Sequence, residues 1–579
     1  MLIPHLGSMT LALVGLGVVA LAIGGRGFEH SSRQMGSSYN QFAWIRDRSS
    51  KPYAKVNGRL SNLTTGLNTG HEGSRGSSRT HQISVKKEQP RGARWARYRD
   101  LDVLLSGSKE SGRLVLGTLA ARETAKYRLI RPLVSRASPR VHSKGPLLMS
   151  EPAQSLAVIG PTQSGKTSSL AIPAILGWDG PILATSVKAD LLNTTISWRR
   201  KCGRVWCFDP MESTSLPSDQ WSPLTASRTW SGARKSAGDL VELARSEGTT
   251  ADGDFWYSTA LKLLAPLLFA AAIGGLSMSD VVRWVDTQEV DEVLDILEGA
   301  GNEGAIQAAR ASWQREERQR SSVYTTAETV LEPFVDIVAR SSNVRGVASD
   351  AFQGLTPGLD YGHCTDIDPC ELVKGSNSLY VCAPAHDQRR LRPLFVALVK
   401  QTLEAAFALS TKLNAPINPP LLVVLDEAAN IAPLADLDAW AATCAGHGVQ
   451  LVTVWQDLAQ ITARYGAKGQ TVINNHRAKL FLSGIGDPST LDHASHLVGD
   501  EEIFIPTVTR DITGARSTTA TPTQRRLMPP DALRRQLPGT GVLVYGALPP
   551  VKLTLRPWWE EPELSIRAGS YCTEAFSRD

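Results

Sequence analysis

Short apolar runs, each closed by glycine, proline or an acid, recur along most of this chain. They are SLAVIG (155–160), GPILATSV (180–187), GRVWCFDP (203–210), NSLYVCAP (377–384), LLVVLDEA (421–428), QLVTVWQD (450–457), KLFLSG (479–484) and GVLVYGAL (541–548). Runs this short, bounded by turn residues, read as buried strands. Segments of helical length lie between most of them, the alternation of an α/β protein with a mainly parallel sheet. GRLVLGTLAA (112–121) reads as a further short strand with a turn.

From about 225 to 350 the pattern changes. SAGDLVELARSEG, STALKLLAPLLFAAAIGG, EVDEVLDILEGAG, AIQAARASWQREERQR and AETVLEPFVDIVARS follow one another with helical spacing, and no strand-like run interrupts them. An all-helical insertion in an α/β core is predicted. The expected organisation is a first core part at 93–224, the insertion at 225–350, a second core part at 351–560 and a tail at 561–579.

The N-terminus follows a different rule. Leu6 to Gly25 is 20 residues without a charge, long enough for a membrane-spanning helix. No basic stretch precedes it, as a signal peptide requires, whereas Arg26, Arg33, Arg46 and Arg48 follow it. The positive-inside rule then predicts a single-pass anchor at 1–25 in the cytoplasmic membrane, with the bulk of the chain in the cytoplasm. The apolar run Leu263–Leu276 has 14 residues, too few for a second span, and is predicted to be a buried helix.

Composition sharpens this only locally. Apolar residues make up 42% and charged residues 20%, which sustains a large core. Residues 26–150 hold 24 Lys and Arg against 8 Asp and Glu. Residues 26–92 read as a basic, flexible juxtamembrane linker, a charge block of the kind that faces anionic lipid or nucleic acid or is simply solvated. The 7 cysteines are irregularly spaced without a C-x-x-C, so neither a disulfide framework nor a zinc site is indicated.

The candidate chemistry sits at two strand ends. Gly160-Pro161-Thr162-Gln163-Ser164-Gly165-Lys166-Thr167-Ser168 fits the G-x-x-x-x-G-K-[ST] template between a strand and a helix. Glycines let backbone N–H groups curl around phosphates, Lys166 reaches the β- and γ-phosphates, and the Thr167 hydroxyl holds Mg²⁺. The helix N-terminus adds partial positive charge. ATP and Mg²⁺ are the expected ligands. LLVVL followed by Asp426-Glu427 places two carboxylates at a sheet edge. There Asp426 is expected to hold Mg²⁺ and Glu427 to polarise the attacking water as general base. Gln456, closing another apolar strand, is expected to sense the γ-phosphate.

These residues lie in a longer pattern that resembles the type IV secretion coupling proteins, the TraG/TraD-like ATPases of conjugation. The resemblance runs through ARWA, LVLG, VIGPTQSGKTSS, VKADLL, FDP with WSPL, FWYSTALKLL, VVLDEAANIAPLADL, HGVQLVTVWQDLAQITARYG, INNHRAKLFLSG and LMPPDALRRQLPGTGVLVYG, in that order. It implies a membrane-anchored RecA-like P-loop motor with an inserted helical domain. It also implies a homo-hexameric ring that links a relaxase-bound DNA single strand to the secretion channel. The family roles carry over to Lys166, Thr167, Asp426, Glu427 and Gln456. Lys188, Ala189 and Asp190 stand where relatives often have Lys-Gly-Glu. Two departures stand out: one anchor where the family commonly has two, and TCAGHG where relatives often carry arginine. Arg464 and Arg477 are then the candidates for an arginine completing a neighbour's site. Two other readings share these features: a double-stranded DNA pump of the septal type, and a nucleotide-dependent docking receptor for secreted proteins.

Overall fold

The computed structural model describes residues 92–569 except 107, 120–145, 215, 246–250, 348–365, 385–387, 511, 513 and 515. The expected anchor at Leu6–Gly25, the basic linker and most of the C-terminal tail lie outside the described residues.

Among the described residues, twelve strands form one sheet. Those of the first core part are β1 (Leu105–Ser106), β2 (Val115–Leu119), β3 (Leu147–Met149), β4 (Leu156–Ile159), β5 (Ile182–Ser186) and β6 (Val205–Phe208). They are joined by β7 (Ser378–Cys382), β8 (Leu421–Leu425), β9 (Val449–Trp455) and β10 (Ala478–Leu482). A separate pair, β11 (Asp500–Arg510) and β12 (Arg516–Arg526), precedes the last two sheet strands, β13 (Thr540–Tyr545) and β14 (Val551–Thr554). The order across the sheet is β1-β3-β2-β14-β13-β10-β4-β9-β8-β5-β7-β6.

From β10 to β6 every neighbouring pair is parallel. From β10 outward through β13, β14, β2 and β3 to β1 every pair is antiparallel. The sheet is therefore mixed rather than mainly parallel. Orientation is not written in periodicity: β13 is as apolar as the parallel strands, and β1 and β3 are too short to show a pattern.

The continuous apolar runs are explained by cover on both faces. In β8, Leu421, Val423 and Leu425 enter one buried cluster, while Leu422 and Val424 enter the other. The first cluster continues into the helices between β6 and β7. These are Trp230–Ala244, Ala251–Ile273, Met278–Thr287, Asp291–Gly299, Glu303–Trp313 and Glu317–Val347. Leu263, Leu264, Leu267 and Leu268 are buried inside this bundle, so the long apolar helix is a core element. The bundle docks on helix Gln388–Leu413, where Lys400 donates to Asp239 at 2.5 Å; beside this contact Phe208, the last residue of β6, meets Phe395 of the same helix edge-on at 6.0 Å.

The pair β11–β12 is an element that the hydrophobic pattern does not predict. Each strand has 11 residues, and the pairing runs unbroken from Asp500↔Arg526 to Arg510↔Arg516. Phe504, Pro506 and Val508 oppose Pro522, Ala520 and Thr518 on one face, and Phe504 is 63% exposed. The base is fixed: Ala93 N–H donates to the Asp500 carbonyl at 2.7 Å, and Arg525 meets Glu501 at 2.7 Å. Replacing residues 503–523 by a short Gly-Ser turn keeps that base. The thermal midpoint should then move by no more than about 2 °C, because little buried apolar area is lost. A larger drop by circular dichroism would show that the hairpin supports the body.

Candidate nucleotide site

The phosphate loop leaves the carboxyl end of β4. Gly160 N–H donates to the Trp455 carbonyl at 3.1 Å, which ties the loop to β9. A side chain at Gly160 would collide with Leu482 Cβ at 2.9 Å. Gln163 and Gly165 adopt φ of 62° and 89°, the left-handed values that turn successive N–H groups inward. Thr167 then opens the helical segment that runs to Gly177, beginning as a wide π turn.

Lys166 Nζ donates to the carbonyls of Gly160 and Pro161 at 2.5 and 2.7 Å, folded across its own loop. Burial lowers its pKa, against the opposing pull of Asp426 and Glu427. Thr167 Oγ1 donates to Asp426 Oδ2 at 3.0 Å, joining two residues 259 positions apart. Thr185 in β5 donates to the Asp426 carbonyl at 3.2 Å. Burial pushes the Asp426 carboxyl up to about 6, and the Thr167 hydroxyl works against that shift. A desolvated carboxylate beside a threonine hydroxyl is a hard-oxygen donor pair suited to Mg²⁺. Ser164 Oγ is buried and has no hydrogen-bond partner among the described residues. An orphaned donor inside a glycine cradle fits a phosphate oxygen.

Glu427 follows Asp426 in the left-handed region, φ 57°. A non-glycine residue there is strained, and such residues gather at functional sites. The order β4-β9-β8 puts β9 between the loop and the acidic pair. Gln456, the first residue after β9, therefore lies on that edge between them, with its N–H donating to Gln460 Oε1 at 3.0 Å. Lys188 follows β5 on the same edge. Arg477 lies elsewhere: it precedes β10 at the opposite edge and pairs with Glu151 at 2.8 Å. Arg464 is in the last turn of helix Leu458–Tyr465, which follows β9.

Other segments of the sequence pattern serve the scaffold. Asp209 of FDP is buried and accepts from Ser213 Oγ and Thr214 N–H at 2.9 and 2.6 Å. Trp221 of WSPL donates to Gln401 at 3.1 Å. Tyr257 of FWYSTALKLL donates to the Ala244 carbonyl at 3.1 Å. Sequence reasoning missed Thr185 and Asn430, which touch the acidic pair through contacts that only the fold creates.

The model of the family described as "Type IV secretory system Conjugative DNA transfer" matches residues 115–577. The chain belongs to this family. It is 26% identical over 488 residues to the conjugal transfer protein TraG of Escherichia coli, covering 77% of this chain and 71% of that one. It is 21% identical over 355 residues to VirD4 of Rhizobium radiobacter, covering 59% of this chain and 48% of that protein. The chain thus spans about half the length of that VirD4 relative.

Among solved structures, the unbound bacterial conjugative coupling protein TrwBdeltaN70 superposes with a TM-score of 0.54 at 19% identity, over 79% of this chain and 96% of that solved chain. TrwB in complex with ADP and Mg²⁺ gives 0.52 at 19% identity, with the same coverage of both chains. This likeness shows the RecA-like fold.

Proposed function

We propose that the chain is an ATPase that couples hydrolysis to the passage of DNA into a type IV secretion channel during conjugation. The observation that carries the reading is the Thr167–Asp426 hydrogen bond of 3.0 Å, which closes the phosphate loop against the acidic strand beside the orphaned Ser164 hydroxyl. TrwB, whose fold the chain shares, binds ADP with Mg²⁺. In this reading Lys166 unfolds from its loop carbonyls onto the β- and γ-phosphates, and the backbone from Gly160 to Ser168 holds their oxygens. Thr167 and Asp426 hold Mg²⁺, which supplies charge neutralisation for the phosphates. Glu427 polarises the attacking water, and Gln456 reports the γ-phosphate to β9. The helices inserted between β6 and β7 share the buried cluster on one face of this core.

The assembly proposed around the site is a homo-hexamer held to the cytoplasmic membrane by the segment at 6–25. It receives a relaxase-bound single strand and delivers it to the channel components. Family membership and the apolar N-terminal stretch support this placement. The test is hydrolysis by a fragment beginning at residue 92. Single-stranded DNA should raise its phosphate release severalfold at low salt, and the stimulation should fade as salt rises, because phosphate contacts release counterions. No stimulation at low salt would count against a DNA motor and favour a docking receptor for proteins.

A further inference from the structure

The turn that follows the acidic pair contains a residue to which none of the roles above belongs. Asn430 Nδ2 donates to Glu427 Oε2 at 3.1 Å. Its backbone N–H donates to the Glu427 carbonyl at 2.9 Å, and Ile431 N–H reaches the same carbonyl at 3.2 Å. Only the amide's N–H₂ end suits a carboxylate, so the orientation of the Asn430 side chain is fixed by its partner.

The turn itself is held from two sides. Ala428 N–H donates to the Val454 carbonyl of β9 at 3.2 Å. Arg392 Nε, on helix Gln388–Leu413, donates to the Asn430 carbonyl at 3.3 Å. Ala428 and Ile431 are fully buried. Asn430 therefore presents its amide from an anchored backbone, whereas Glu427 stands in a strained conformation with φ 57°. A half-exposed glutamate has three side-chain torsions to order before it can act on a water. A donor on one oxygen removes much of that freedom and leaves the other oxygen available.

We propose that Asn430 is a positioning residue that aims the Glu427 carboxylate at the attacking water. It touches neither nucleotide nor water, and acts through Glu427. The inference rests on the reading of Glu427 as the water-polarising group, and the experiment separates the two.

Steady-state ATP hydrolysis of the full chain is compared for Asn430→Ala, Asn430→Asp and Asn430→Gln, together with the affinity for a fluorescent ATP analogue. Losing a hydrogen bond to a charged group predicts a fall in kcat of about tenfold for Asn430→Ala, with KM and analogue affinity within about twofold. Asn430→Asp keeps the shape, loses the donor and sets a like charge beside Glu427, so kcat should fall further, by about 100-fold. Asn430→Gln restores an amide donor and should recover kcat to within about threefold of wild type. Wild-type kcat in Asn430→Ala or Asn430→Asp overturns the proposal. So does a kcat loss that tracks a lowered unfolding midpoint. If Glu427→Gln is inactive while Asn430→Ala is fully active, the positioning role alone fails. If Glu427→Gln is itself active, the reading of Glu427 fails first.

Discussion

Glu427→Gln in the full chain should bind ATP and fail to turn it over. The expected loss in kcat is about 10²- to 10⁴-fold, the contribution of a positioned general base. Binding should persist because the groups assigned to the nucleotide lie on the loop and on Asp426, and the hydrogen bonds that hold Lys166, Thr167 and Asp426 do not involve the Glu427 side chain. The Thr167–Asp426 bond at 3.0 Å and the Thr185–Asp426 bond at 3.2 Å remain. Glutamine matches glutamate in shape, and its carbonyl oxygen still accepts from Asn430. The substitution therefore removes basicity while preserving the turn. Phosphate release at saturating ATP, set beside binding of a fluorescent analogue, checks both halves. Plasmid transfer by cells carrying the variant should be abolished while the protein stays in the membrane fraction. Wild-type turnover, or normal transfer, would remove Glu427 from the mechanism and with it the motor reading.

How much of this was visible beforehand depends on the range of the interaction. The phosphate loop is legible because its chemistry is local: nine consecutive residues carry their own turn, cradle and helix start. The acidic pair is legible for a similar reason, since an apolar strand that ends in two acids states its own edge. Gln456 needed one more step, the adjacency of β9 to both β4 and β8, which the strand order supplies. Asn430 was hidden although it is only three residues from Glu427. Its role depends on the left-handed φ of Glu427, and nothing in DEAAN announces that turn. The antiparallel half of the sheet was hidden because β13 reads as a continuous apolar run, GVLVY, like the parallel strands, while β1, β3 and β14 have only two to four residues each, too few to reveal an orientation. The β11–β12 hairpin was hidden for the opposite reason. With Thr-rich positions on one face and prolines on the other, its composition resembles a loop, and only the ladder register reveals an ordered pair.

Arg199→Met should cost about 3–5 kcal/mol of stability, the size expected when several buried acceptors lose their donor together. Helix Ala189–Cys202 buries Leu191, Leu192, Thr195, Ile196 and Arg199, a spacing that places the arginine on the apolar stripe. Arg199 is fully buried, yet it faces carbonyls and a hydroxyl where a carboxylate would be the usual partner. Its Nε donates to Ser378 Oγ at 2.8 Å, one terminal nitrogen to the Trp178 carbonyl at 2.7 Å, and the other to the carbonyls of Gly180 and Ser376 at 2.9 and 2.7 Å. These acceptors lie in or just before β5 and β7, at the sheet edge opposite the phosphate loop. One guanidinium thus staples the helix to the starts of two adjacent parallel strands. Methionine fills much of the same volume and donates nothing, so the three carbonyls are left dry. Lysine retains the charge and one donor site, and Arg199→Lys should recover about half of the loss. Urea unfolding of the fragment beginning at residue 92 measures both. A cost below about 1 kcal/mol for Arg199→Met would mean that water reaches these carbonyls and that the staple is not what joins helix to sheet.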